Sequence, residues 1–252
     1  MEKPGSTNNP RWLQLSDQIM GPLVGQSNST LGKVKMMDFD LAQIAVLALH
    51  LLASSLDVSI DINRKGKHAM AISLLRHSIE SLTLIDVGLQ QTDFSESLLS
   101  KWRDGKITSG DLRKNLNEKI WPNYGKGLWN EKWAEYFANL SKAVQPYTHV
   151  SRELLEWQLS VVARSEKSKM YVSVGGYDAI KASRITLLHS LVIWTLGRIM
   201  IQNRGEDFRN FVAPVRELGT SLSSSKLLMK KNDWGIELLP TMIFTKGDWR
   251  DE

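Results

Sequence analysis

The stretch SLLRHSIESLTLIDVGL, residues 73–89, constrains the fold more than any other part of the chain. Ile72, Leu75, Ile79, Leu82 and Val87 recur along one side of a helix, while Leu74, Leu84 and Ile85 occupy others. A helix that is apolar around most of its circumference has to be buried against several neighbours at once. Arg76 and Glu80 stand at i and i+4 inside this segment, so they share a face, with Ser73 and Thr83 along the same stripe. Two readings follow. The pair is an internal ion pair that fixes packing register, or it belongs to a polar cavity inside a helical bundle in which Arg76 holds an anion.

The rest of the chain supplies the neighbours. From Met36 the apolar content rises, and Asp38 or Asp40 can cap a helix that runs to about Ser59. DINRKGKH forms a turn with a basic tip, and a second long helix spans about Ala69 to Gly88. SGDLRKNLNEKI begins with a cap and has short helical periodicity that Trp121-Pro122 closes. NEKWAEYFANLSKAV restarts a helix, which stops at Pro146. SRELLEWQLSVVARSEKS reads as a further amphipathic helix with Ser151 in its cap, MYVSVGG alternates as a short extended stretch, and a long late helix starts at Asp178 and runs to about Gln202. RWLQLSDQIMGPLVG predicts a short helix that ends before Gly21-Pro22, and GQSNSTLGK predicts a loop. TSLSSSK reads as a flexible joint. There is no internal repeat and no regular series of strands. The expectation is an all-α, multi-helix bundle with long central helices and a loosely attached C-terminal segment: a tail and short helix over 1–35, the bundle over 36–205, and the C-terminal segment over 206–252.

Composition narrows the setting. Of 252 residues, 42% are hydrophobic and 23% charged, the balance of a soluble globular chain. The absence of cysteine excludes disulfides and thiolate metal sites, and it fits a reducing cytoplasm. MEKPGSTNNPRW lacks the basic start and apolar core of a signal peptide. The runs 41–56 and 185–201 are interrupted by Gln43 and His50, and by His189 and Arg198. Both fall short of the roughly 20 apolar residues of a membrane span, so they read as core helices. No HExxH, GxSxG or GxGxxG motif occurs, and the two glycines of SVGGYDAIK precede a helix start without a Walker lysine, so neither a metal nor a cofactor is expected. The net charge of +5 admits a polyanionic partner such as RNA and equally serves solubility.

Three places carry chemistry besides Arg76 and Glu80. In QPYTHVSRE, Pro146 forces a break that places Tyr147 and His149 on a loop, either as accessible binding groups or as part of a helix-capping turn. The aromatics between 121 and 137 are interleaved with Lys119, Lys126 and Lys132, a pattern compatible with stacking on single-stranded nucleic acid or with tryptophans wedging helices together. The third is RITLLH, in which His189 follows Arg184 after four residues on the long late helix.

An arginine followed at this spacing by a histidine on a late helix of an α-bundle resembles the signature of the HEPN superfamily. The wider order of LLRHSIESL, a Trp-rich middle, PYTHVS and a long last helix, over about residues 36–205, is similar to HEPN-like helical proteins of bacteria. The resemblance implies a homodimer whose paired motifs line a metal-independent RNase cleft, in a toxin or phage-defence setting. His189 would act on the ribose 2′-hydroxyl or the leaving oxygen, and Arg184 would stabilise charge on the phosphorane. The chain departs from the pattern at Ile185, where a polar residue is usual, and SLVIW after His189 has core character. Those departures fit a second reading, a non-catalytic helical interaction or adaptor module that engages a protein partner.

Overall fold

A computed structural model describes residues 9–36, 39–147, 151–164, 170–174 and 176–225. Among them the chain forms α1 (Arg11–Leu31), α2 (Phe39–Arg64), α3 (His68–Leu89), α4 (Asp93–Arg103), α5 (Ser109–Lys119), α6 (Trp133–Val144) and α7 (Arg152–Trp157). A hairpin of β1 (Leu159–Arg164) and β2 (Met170–Val174) follows, then α8 (Ala179–Arg204) and α9 (Arg209–Ser224). The architecture is an all-α multi-helix bundle, with this one small hairpin outside its helical layers.

The bundle is organised as the apolar patterning of residues 73–89 requires. Helix α3 packs along the length of α2 and also touches α4, α5, α6, α7 and α8, which leaves Ile72, Leu75, Leu82 and Ile85 without exposed surface. Gly88 makes the α2–α3 approach possible. A Cβ there would lie 2.5 Å from the Ala45 Cβ, so only a residue without a side chain fits at this crossing. Helix α8 is the second core element, buried on nearly every face from Ile185 to Met200.

Two helices among those described, α2 and α8, are long and apolar enough by length and composition to cross a membrane. Within the bundle 78% of the α8 window is buried by protein, against 44% of the α2 window. The difference arises because α2 keeps an outward row that includes Leu47, His50, Leu51 and Val58.

Local signals set most boundaries. Thr92 and Thr108 cap α4 and α5, each accepting from the backbone N–H three residues on. Asp178 caps α8 by accepting from Lys181 N at 3.1 Å, and Ser151 caps α7 by accepting from Leu154 N at 3.1 Å.

Three expectations are corrected. Helix α1 does not end before Gly21-Pro22 but continues to Leu31, across the stretch read as a loop. Trp12, Leu15, Ile19, Leu23, Ser27 and Leu31 keep a helical register on the buried side, while Pro22 stands on the exposed side, where water can take up the carbonyl it orphans. The amphipathic helix read from residue 151 ends at Trp157, because the following residues pair with β2 in the register Leu159↔Val174 to Arg164↔Met170. Part of the C-terminal segment is also core. Val215, Leu218 and Leu222 of α9 are buried against α1 and α8, and Arg11 Nε donates to Glu217 Oε1 at 2.8 Å. The stretches 1–35, 36–205 and 206–252 therefore contribute to one hydrophobic core through their described residues.

Candidate functional site

A cavity of about 480 Å³ opens between α1, α2 and α8. Its apolar lining comes from Leu13 and Met20 of α1, Ile60 of α2 and Ile193 of α8. Its polar lining includes Ser16 and Asp17 of α1, Asn63 and Arg64 of α2, and Thr186 and His189 of α8. Tyr177 also lines it, and its backbone rests against the α2–α3 turn. A Cβ on Gly66 would sit 2.8 Å from Tyr177 N, and Gly66 has φ +75, so glycine is needed there both for space and for conformation.

His189 belongs to this cavity and is only 4% exposed. Its tautomer follows from its partner. Ser59 Oγ donates its single proton to Ala71 O at 2.8 Å, so at the 2.8 Å contact with His189 the imidazole Nε2–H must donate to Ser59 Oγ. Nδ1 is left as a lone-pair acceptor. Burial pushes the imidazole down to about 3, and the positive charge of Arg64 adds to the effect, so the ring is neutral at ordinary pH.

Asp17 and Arg64 are both exposed and face the same cavity without forming an ion pair. Burial lifts the Asp17 carboxyl above its ordinary range, and Arg64 draws it part of the way back. Ser16, 2% exposed, has an Oγ with no hydrogen-bond partner among the described residues.

Arg184 lies elsewhere. Five positions along a helix turn a side chain by about 140° from the start. Arg184 accordingly leaves α8 away from His189, half-buried, on the side of Tyr147 and Asp178. Arg76 and Glu80 form a third location. Arg76 Nε donates to Glu80 Oε1 at 2.7 Å, with side chains 35% and 29% exposed. Arg113, which hydrogen-bonds Ser141, adds a second guanidinium near Glu80 at a recess of about 70 Å³. The ion-pair reading of residues 73–89 thus holds in its geometry, with the pair half-buried rather than enclosed.

Tyr147 is not an accessible loop group. It is 6% exposed and packs edge-on against Trp157 with ring centroids 5.4 Å apart. His149 lies outside the described residues. Trp121 and Trp133 of the Trp-rich middle are buried and pack on Phe137, Tyr124 and Trp194, so those two rings wedge helices together. The five described candidates, Arg76, Glu80, Tyr147, Arg184 and His189, do not converge on one cavity.

Two polar clusters carry no short-range signal in the sequence. Asp86, fully buried on α3, accepts from Trp121 Nε1 at 2.7 Å, from Asn203 Nδ2 at 3.3 Å, from Gln90 Nε2 at 3.2 Å and from the Tyr124 hydroxyl. Burial outweighs those donors and lifts its carboxyl to about 6. At the other end of α3, His68 Nδ1 donates to Asn63 Oδ1 at 2.7 Å, while its Nε2 accepts from Asp178 N at 2.9 Å. Asn63 Nδ2 in turn donates to Ala182 O at 3.0 Å, which ties the start of α8 to the α2–α3 turn.

The chain matches no family model, no curated protein and no solved structure.

Proposed function

We propose that this chain is a non-catalytic helical interaction module. The observation that carries the reading is that Arg184 and His189 share α8 but not a face. His189 is buried, donates to Ser59 and is neutral, whereas Arg184 belongs to the side of Tyr147 and Asp178. With an imidazole near 3, on the order of one molecule in ten thousand carries the proton of a general acid at pH 7. A surface for a protein partner is available on the α2–α3 hairpin, where Leu47, Leu51, Val58 and Met70 are between 48% and 64% exposed.

A second reading, an RNA-cleaving HEPN-like effector acting as a homodimer, draws support from the net charge of +5. Purified protein incubated with total cellular RNA in EDTA separates the two. The interaction module leaves the RNA intact. Cleavage that produces cyclic-phosphate ends, spares DNA and disappears in a His189→Ala variant with wild-type melting would establish the effector reading instead.

A further inference from the structure

We infer that the cavity between α1, α2 and α8 is a binding site for a small zwitterion, a free α-amino acid with an apolar side chain. Its two charges are the starting point. Asp17 and Arg64 line the same cavity from different helices, and each is exposed. No ion pair joins them among the described residues, although Arg64 is near enough to draw the Asp17 carboxyl down, and neither makes a side-chain hydrogen bond among those residues. A carboxylate and a guanidinium that face one space without meeting present a negative and a positive pole to whatever enters it. An anion alone would be repelled by Asp17, and a cation alone by Arg64. A molecule that carries an ammonium and a carboxylate on the same carbon satisfies both poles at once.

The rest of the lining fits the same occupant. Leu13, Met20, Ile60 and Ile193 provide apolar surface for a side chain. The cavity volume of about 480 Å³ is that of a small-molecule site, within the range of about 300–1,000 Å³. The Ser16 hydroxyl, buried and without a partner, is a polar group that a ligand would satisfy. His189 takes part as a neutral ring held in one tautomer by Ser59, which adds an acceptor without adding charge. Tyr177, which borders the cavity, is held in place by the close approach of its backbone to Gly66 and by its ring against His68, with centroids 5.7 Å apart.

This inference rests on the non-catalytic reading only in treating the site as one that binds without turnover. The test uses the full 252-residue chain and the twenty free amino acids as probes, read by thermal shift and calorimetry. One or more amino acids with aliphatic or aromatic side chains should bind and raise the melting temperature, and glycine should bind more weakly. For the best ligand, the N-acetyl form lacks the ammonium and the amide form lacks the carboxylate, so each should bind at least roughly tenfold more weakly. Asp17→Asn should erase the penalty for N-acetylation, and Arg64→Gln the penalty for amidation. Both variants should stay folded without ligand, because both side chains are exposed and make no hydrogen bond among the described residues. If no free amino acid binds at about 10 mM, or if the acetylated and amidated forms bind as well as the parent ligand, the assignment is wrong and the interaction-module reading still stands. If the ligand binds and mass spectrometry shows it converted to a product, the site is right and the non-catalytic reading fails.

Discussion

Trp121 Nε1 donates to Asp86 Oδ2 at 2.7 Å, joining the short turn after α5 to the last turn of α3 through a carboxylate with no exposed surface. With its carboxyl lifted to about 6 from an ordinary 3.8, the folded chain holds a proton that the unfolded chain releases between those values. Its contribution to stability is therefore largest below pH 4, declines as pH rises to about 6 and is flat above. The amplitude is roughly 3 kcal/mol. Asp86→Asn should lower stability by about 1–3 kcal/mol, because its amide turns a donor toward another donor, and should remove this slope. Urea unfolding of both proteins across pH 4–7 measures it.

His189 acts in the opposite sense. Its folded value near 3 lies below the ordinary 6.5, so on acidification the unfolded chain takes up a proton that the folded chain refuses. Stability from this residue is complete above about pH 6.5 and is lost as pH falls toward 3, with an amplitude on the order of 5 kcal/mol. His189→Gln should flatten the acid limb of the stability profile. A slope unchanged in that variant would mean that the imidazole is hydrated in the fold. Because Asp86 and His189 oppose each other between pH 4 and 6, single variants are needed to see either.

The Arg76–Glu80 pair should be worth little. With 35% and 29% of the side chains exposed, a double-mutant cycle with Arg76→Ala and Glu80→Ala should return a coupling of about 1 kcal/mol or less, reduced further in 1 M salt. A coupling of about 3–5 kcal/mol would be the behaviour of a fully enclosed pair.

Gly88→Ala should cost about 1–3 kcal/mol by forcing α2 and α3 apart at Ala45. Adding Ala45→Gly moves the missing methyl from one helix to the other and should recover most of the loss. Chemical denaturation of the two single variants and the double variant decides whether the contact or an unrelated effect is responsible.

Most of the bundle is legible in the sequence, because α2, α3 and α8 are long, strongly periodic and bounded by turn residues or caps. The misreadings have distinct causes. Pro22 looks like a terminator, yet the register from Trp12 to Leu31 places it on the solvent side, so burial of the opposite face carries the helix through. LSVVAR fits a helix or a strand, and only pairing with residues 170–174 decides. TSLSSSK is polar enough to read as a joint, but Leu218 and Leu222 sit one helical turn apart on the face that meets α1 and α8.

The site was less legible for a different reason. Arg184 and His189 are close in sequence and diverge in space, while the groups that define the surroundings of His189 come from far away. Ser59 is 130 positions from it, and Asp17 and Arg64 lie on two other helices. Asp86 was invisible in the same way, since its donors Trp121, Tyr124 and Asn203 are brought to it only by the packing of α3 against its neighbours.

The contact between α1 and α9 also has a temporal side. Arg11 meets Glu217 across 206 positions, and the buried face of α1 packs on helices that are translated at the far end of the described chain. At about 5–20 residues per second, a ribosome needs roughly 10–40 s to reach the end of α9 after finishing α1. Throughout that interval the face of α1 that meets α9 lacks its cover. The nascent chain therefore displays a greasy helix that chaperones can recognise, and the native core closes only after the last of these helices leaves the exit tunnel.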